Sequence, residues 1–164
     1  MRKRSKYRPK GVLLNPLGYV LESMSPLAAH NSYLLDLKIK NHAALTALTT
    51  GMATRADIDV LITMGNVTEA LYRLGFGAEY GNEVKAGLNA LRDTARRGAE
   101  SHRFILRAAE MSALNTLVEL HDAQMDVATI KDMENALKLV DQEYRSHKMV
   151  PIVEKKDERT KSPA

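Results

Sequence analysis

From Ala108 to about Lys148 the chain contains neither glycine nor proline. Those two residues punctuate backbone structure most strongly, so a stretch free of both favours continuous helix. The stretch is too long for one ordinary globular helix of roughly 8–20 residues, so it must break. The best break is Asp126-Val127-Ala128-Thr129, because Thr129 followed by Asp132 repeats a T-x-x-D helix-start signature. This predicts one helix from about Ala109 to Met125, lined by Met111, Leu114, Leu117, Val118 and Leu120. A second runs from about Ile130 to His147, lined by Ile130, Met133, Leu137, Val140 and Tyr144.

The rest of the chain follows the same grammar. Ser25-Pro26 is a good helix start, and a long helix is expected from about Leu27 to Thr50, with Asn31-Ser32 as a later possible start. Its apolar set is Leu34, Leu37, Leu45 and Leu48 with Tyr33, Ile39 and Ala44. Thr54 and Asp57 open the next helix, which carries Ile58, Leu61, Ile62, Leu71 and Leu74 and ends at Gly75 and Gly77. Another is expected from about Ala78 to Arg97, with Tyr80, Val84, Leu88, Leu91 and Ala95 on one face and Gly98 closing it. His102 to Leu106 looks extended. Before all of these, Pro16 and Gly18 interrupt an apolar stretch that is either irregular or a short helix from about Pro16 to Met24. No segment alternates convincingly as a strand. The expected class is all-α, a compact bundle of about five helices. The expected organisation is a flexible basic arm over 1–11, one helical-bundle domain over 12–150 and a mobile polar tail over 151–164. A chain of 164 residues suits a single domain whose core needs no staples.

Charge is unevenly laid out. Arg2, Lys3, Arg4, Lys6, Arg8 and Lys10 place six cations in the first ten residues with no acid among them. The whole chain carries +4, so the residues after the arm sum to −2. Inside the body, Arg92, Arg96, Arg97, Arg103 and Arg107 face only Asp93 and Glu100 over the same stretch, while Glu119 to Glu143 is strongly acidic. Blocks of this kind point to charged partners, within the chain or outside it.

Catalytic and cofactor chemistry finds little footing. With no cysteine, disulfides, thiolate zinc sites, iron–sulfur clusters and thiol nucleophiles are excluded. His121, Asp122 and Asp126 share a helix but not a face, and Leu117 and Met125, four residues either side, place His121 at the border of the core. His30, His42, His102 and His147 are scattered. Serines and threonines sit mostly at helix starts, where capping accounts for them, and no G-x-S-x-G elbow occurs. Gly75-Phe76-Gly77 lacks the preceding strand and following Lys-Ser/Thr of a phosphate loop. A helix-turn-helix within Arg55–Gly77, turning at Met64-Gly65-Asn66, fails on a polar Asn66, a large Leu61 and a second helix whose cation is Arg73 alone; a plain helix with an internal glycine fits better. The residues call for no enzyme activity, no metal and no cofactor. No apolar run reaches the length of a membrane span, and no apolar h-region follows the basic N-terminus.

Nucleic-acid binding is the leading reading. Six arm cations, interleaved with Tyr7 and Pro9, suit displacement of counterions from a phosphate backbone, with Arg92, Arg96 and Arg97 as support. The alternative is a protein-interaction module, a host-enzyme inhibitor or adaptor, using an acidic helical face at Glu119, Asp122 and Asp126, with Met111, Met125 and Met133 as an adaptable contact surface. A packaging or virion structural role is a third. The T-R-A-D helix start (Thr54–Asp57) and the L-H-D-A-Q segment (Leu120–Gln124) resemble a family of small helical proteins of proteobacterial phages and prophages. The likeness extends from the MRKRSKYRPK arm to about Pro151. That family has no assigned activity or motif-defined site, so no functional residue is carried over. The resemblance implies a phage-encoded accessory protein in the host cytoplasm, where such proteins bind nucleic acid or redirect a host protein. A small homo-oligomer is also expected.

Overall fold

A computed structural model describes residues 15–146. The basic arm and the polar tail lie outside the described residues. The described chain is all-α, without strands, and has six α-helices: α1 (Pro16–Ser23), α2 (Asn31–Thr49), α3 (Arg55–Arg73), α4 (Gly81–Ser101), α5 (Ala108–Val127) and α6 (Ile130–Arg145). Single 3₁₀ turns, Leu27–His30 and Ala78–Tyr80, precede α2 and α4. The sixth helix is α1, the segment whose proline and glycine left the sequence reading open. Its proline occupies the first turn, where no N–H is needed, and Asn15 Oδ1 accepts from the Gly18 N–H at 2.9 Å.

The break between α5 and α6 falls where the threonine signature put it. The Thr129 N–H donates to Asp132 at 2.9 Å, and the Asp132 N–H donates back to the Thr129 hydroxyl at 3.2 Å. This reciprocal box fixes the start of α6. The same junction is stitched to the α1–α2 connection: Leu27 N–H donates to Ala128 C=O at 3.0 Å and Ile130 N–H to Ser25 C=O at 3.1 Å. At the start of α3 the Thr54 N–H and hydroxyl both donate to the Asp57 carboxylate, at 2.8 and 2.7 Å.

Helix α3 packs against α2, α4, α5 and α6. The main core joins Leu45 and Leu48 of α2, Ile58 and Leu61 of α3, Leu91 of α4 and Leu114 and Leu117 of α5. A second cluster joins Leu34, Val67, Leu71, Met125 and Ala136. Along α2 the buried set is Leu34, Asn41, Ala44, Leu45 and Leu48, one stripe at helical spacing. Tyr33, Leu37 and Ile39, expected in the core, are exposed instead: Ile39 lies on the opposite side of the helix, whereas Leu37, in register with Leu34 and Asn41, and Tyr33 line an open groove rather than the packed core.

Two glycines permit close approach. Helix α4 does not stop at Gly98 as expected; it continues to Ser101, and His102 ends it in the left-handed region at φ 56°. Gly98 is buried because Phe104 folds back over it, and a Cβ there would sit 2.0 Å from the Phe104 ring. Gly87 lets α4 meet α5: a Cβ there would lie 2.6 Å from Leu117 Cβ. Helix propensity alone would make Gly87→Ala stabilising by about 1 kcal/mol. The close approach reverses the sign, and a net loss of about 1–2 kcal/mol is expected. A lower urea midpoint would bear this out, and a higher one would show that the helices can separate freely.

Candidate functional site

Two features of the described body have the chemistry of binding surfaces. The first is a groove of about 620 Å³ between α2, α3, α5 and α6. Its walls are apolar, with Leu34 and Leu37 of α2, Val60 and Val67 of α3, Met125 of α5 and Met133 of α6. Asn41 and His121 line it as buried polar side chains, at 1% and 2% exposure, and Lys40, Asp59 and Thr63 as exposed ones. Asn41 Nδ2 and His121 Nε2 are buried and have no hydrogen-bond partner among the described residues. His121 is oriented from behind: its Nδ1 lies 3.0 Å from Thr68 Oγ1, which is itself 2.9 Å from the Met64 carbonyl. A hydroxyl has one proton to give. Given to Met64 C=O, it leaves the Thr68 oxygen to accept from Nδ1–H and places a lone pair on Nε2. Gln124 Nε2 adds bonds to the carbonyls of Thr68 and Phe76, at 3.3 and 2.9 Å.

Burial lowers the His121 pKa to about 4, against an opposing pull from Asp122 and with Lys38 adding to the fall. The imidazole is therefore neutral at pH 7. Sequence placed His121 only at the border of the core. Asn41 was not singled out, although an asparagine in register with Leu34, Leu45 and Leu48 was the available signal.

The second feature is a cationic stripe on α4. Lys85, Asn89, Arg92 and Arg96 follow one another at spacings of four, three and four, which places them on one helix face. Lys85 and Arg92 border a cleft of about 850 Å³ that also contains Tyr72 and Arg73 of α3. Arg92 Nη2 donates to Asn89 at 2.9 Å, and its Nε is 3.8 Å from the Asp93 carboxylate. Among the described residues, no ion pair holds Lys85, Arg96, Arg103 or Arg107. Linear charge blocks do not reveal Lys85; helical spacing does.

Arg97 belongs elsewhere. It faces α5, where Nη1 and Nη2 bind the Glu110 carboxylate at 2.7 and 2.5 Å. Burial works to raise the Glu110 pKa, but Arg97, the Arg107 N–H and Thr94 outweigh it and hold the carboxyl below its ordinary range. The acidic positions divide similarly. Asp122 lies 2.8 Å from His42 Nε2 and Asp126 2.7 Å from Lys38 Nζ, both ties to α2, whereas Glu119 is exposed and in no ion pair among the described residues. Glu143 pairs with Arg73. Arg2, Lys3, Arg4, Lys6, Arg8 and Lys10 lie outside the described residues. Helix α3 runs unbroken through Met64-Gly65-Asn66, so it contains no helix-turn-helix bend. No three histidine, aspartate or glutamate side chains converge as a metal set among the described residues, and no described helix is long and apolar enough to cross a membrane.

No protein-family model, curated protein or solved structure matches this chain.

The buried imidazole gives stability a pH dependence of definite sign. Between pH 6.5 and about 4 the unfolded chain binds a proton at His121 that the folded chain refuses. Its contribution is thus intact above pH 6.5 and lost as pH falls to 4, by about 3 kcal/mol over the window. Urea midpoints measured from pH 7 to pH 4.5 should fall more steeply for the native protein than for His121→Leu. Parallel curves would contradict a neutral, buried His121.

Proposed function

We propose that the protein is a non-enzymatic, phage-type accessory protein that binds nucleic acid through its basic N-terminal arm. The observation that carries this reading is the concentration of Arg2, Lys3, Arg4, Lys6, Arg8 and Lys10 in a segment without acids, on a chain whose remainder is slightly negative. Such a segment neutralises phosphates and releases counterions, giving affinity that positions the protein without specifying sequence. The α4 stripe of Lys85, Arg92 and Arg96 supplies a second contact line on a rigid helix. Over eleven residues it extends about 16 Å. Arg97 is not part of this surface, since Glu110 engages it.

The acidic-face reading has less to work with. Asp122 and Asp126 are tied to His42 and Lys38, so a docking partner would have to displace those pairs, and Glu119 alone is a thin recognition surface. Association of copies is part of the proposal: Leu35 and Ile39 stand 56% and 57% exposed one turn apart on the outer side of α2. A helix that is apolar beyond its core stripe suits burial in an assembly. The host cytoplasm is the proposed setting.

Fluorescence anisotropy with labelled duplex DNA, single-stranded DNA and RNA tests the reading. If all six arm cations engage duplex phosphates, the logarithm of affinity should fall with the logarithm of salt with a slope near about −5. A version starting at Gly11 should lose most of that slope. The combined substitution Lys85→Glu, Arg92→Glu and Arg96→Glu should weaken binding about tenfold or more. Absence of binding by the full-length protein at low salt would sink the proposal, as would affinity indifferent to the arm.

A further inference from the structure

We infer that the groove between α2, α3, α5 and α6 is a binding site for a small, uncharged, largely apolar molecule carrying a hydroxyl group. This inference is independent of the nucleic-acid reading. The groove's volume of about 620 Å³ lies within the range of small-molecule sites, which are apolar with a few converging polar groups. Met125 and Met133 give its walls flexible, polarisable surface that adapts to the shape of an apolar body.

The polar end defines the chemistry. With the Thr68 proton on the Met64 carbonyl, His121 Nε2 is a buried acceptor and Asn41 Nδ2 a buried donor; both residues line the groove, and neither atom has a partner among the described residues. Groups in that condition are costly unless something satisfies them. A hydroxyl does both jobs, since its oxygen accepts from Asn41 while its proton goes to His121. An ether or a ketone can only accept, and leaves the imidazole lone pair facing an oxygen. A carboxylate meets the same lone pair with no buried cation to offset it: Lys38 is paired with Asp126, and Lys40 is exposed at the rim, where Asp59 also lies. A cation would have to approach the Asn41 N–H. The site therefore selects against charge of either sign and prefers a donor–acceptor head to an acceptor alone.

The isomers 1-octanol and heptyl methyl ether have the same atoms and differ in having or lacking the hydroxyl proton. Isothermal titration of each into the full-length protein, with octanoate as a third ligand, reads the preference directly. The alcohol should bind about tenfold more tightly than the ether, because a buried polar partner discriminates sharply against a ligand that cannot satisfy it. In the protein labelled at its methionine methyls, NMR should show Met125 and Met133 signals moving with added 1-octanol while those of the exposed Met24 and Met52 stay. Asn41→Leu should bring alcohol and ether to within about twofold of each other. The native-protein comparison decides the matter even if that variant does not fold. Equal affinities for the two isomers, tighter binding of octanoate, no detectable binding of 1-octanol, or shifts confined to Met24 and Met52 would each overturn the inference.

Discussion

The hydrogen bond from His121 on α5 to Thr68 on α3 is the contact around which the described structure is organised. Both residues are buried, and Gln124, one turn along α5, reaches the carbonyls of Thr68 and Phe76 from the same side. Apolar packing is tolerant of sliding, because leucines and methionines accept many registers. A buried polar seam does not slide, since a shift of one turn would strand its donors and acceptors. With α3 and α5 fixed, α4 closes on α5 through Gly87, and α6 follows from the Thr129–Asp132 box. The seam thus sets the register that the hydrophobic clusters then fill.

The same seam has two faces. Nδ1 is engaged by Thr68, Nε2 is buried, and the residue lines the groove among apolar walls. Desolvation keeps the ring neutral, so the groove ends in hydrogen-bonding groups without net charge. The cationic stripe lies on a different helix, α4, and borders a different cleft. Arg97 separates from that stripe by a single residue step: Arg96 points along the outer face, while Arg97 turns inward to Glu110. One position along a helix rotates a side chain by about 100°, which is enough to convert a surface cation into a structural one.

Much of the helical scaffold was legible in the sequence, for local reasons. The α5–α6 break is encoded in a threonine and an aspartate three residues apart, and the α3 start in Thr54 and Asp57. The break after α4 is visible in Phe104, Ile105 and Leu106, where the helix gives way to irregular chain. Failures came where the deciding contact is distant in sequence. Gly98 carries the local signature of a helix end, yet its role is to admit the Phe104 ring, a tertiary matter. Tyr33, Leu37 and Ile39 look like core by composition; the stripe formed with Leu45 and Leu48 excludes Ile39, while Leu37, on that stripe, and Tyr33 face the open groove. The site was legible in fragments: His121 through its neighbours four residues away, Arg92 and Arg96 through their charge. Asn41 and Lys85 become visible when helical spacing is applied to polar residues as strictly as to apolar ones. The pairing of His121 with Thr68 joins positions far apart in the chain, and no local pattern announces it.

The most direct measurement is a nitrogen-15 NMR titration of the histidine rings in the full-length protein. The account predicts a His121 ring that is neutral at pH 7, protonated on Nδ1 with a bare Nε2, and that takes up its second proton only near pH 4. A His121 ring that titrates near 6.5, or that exchanges freely between tautomers, would contradict the buried seam and the groove chemistry built on it.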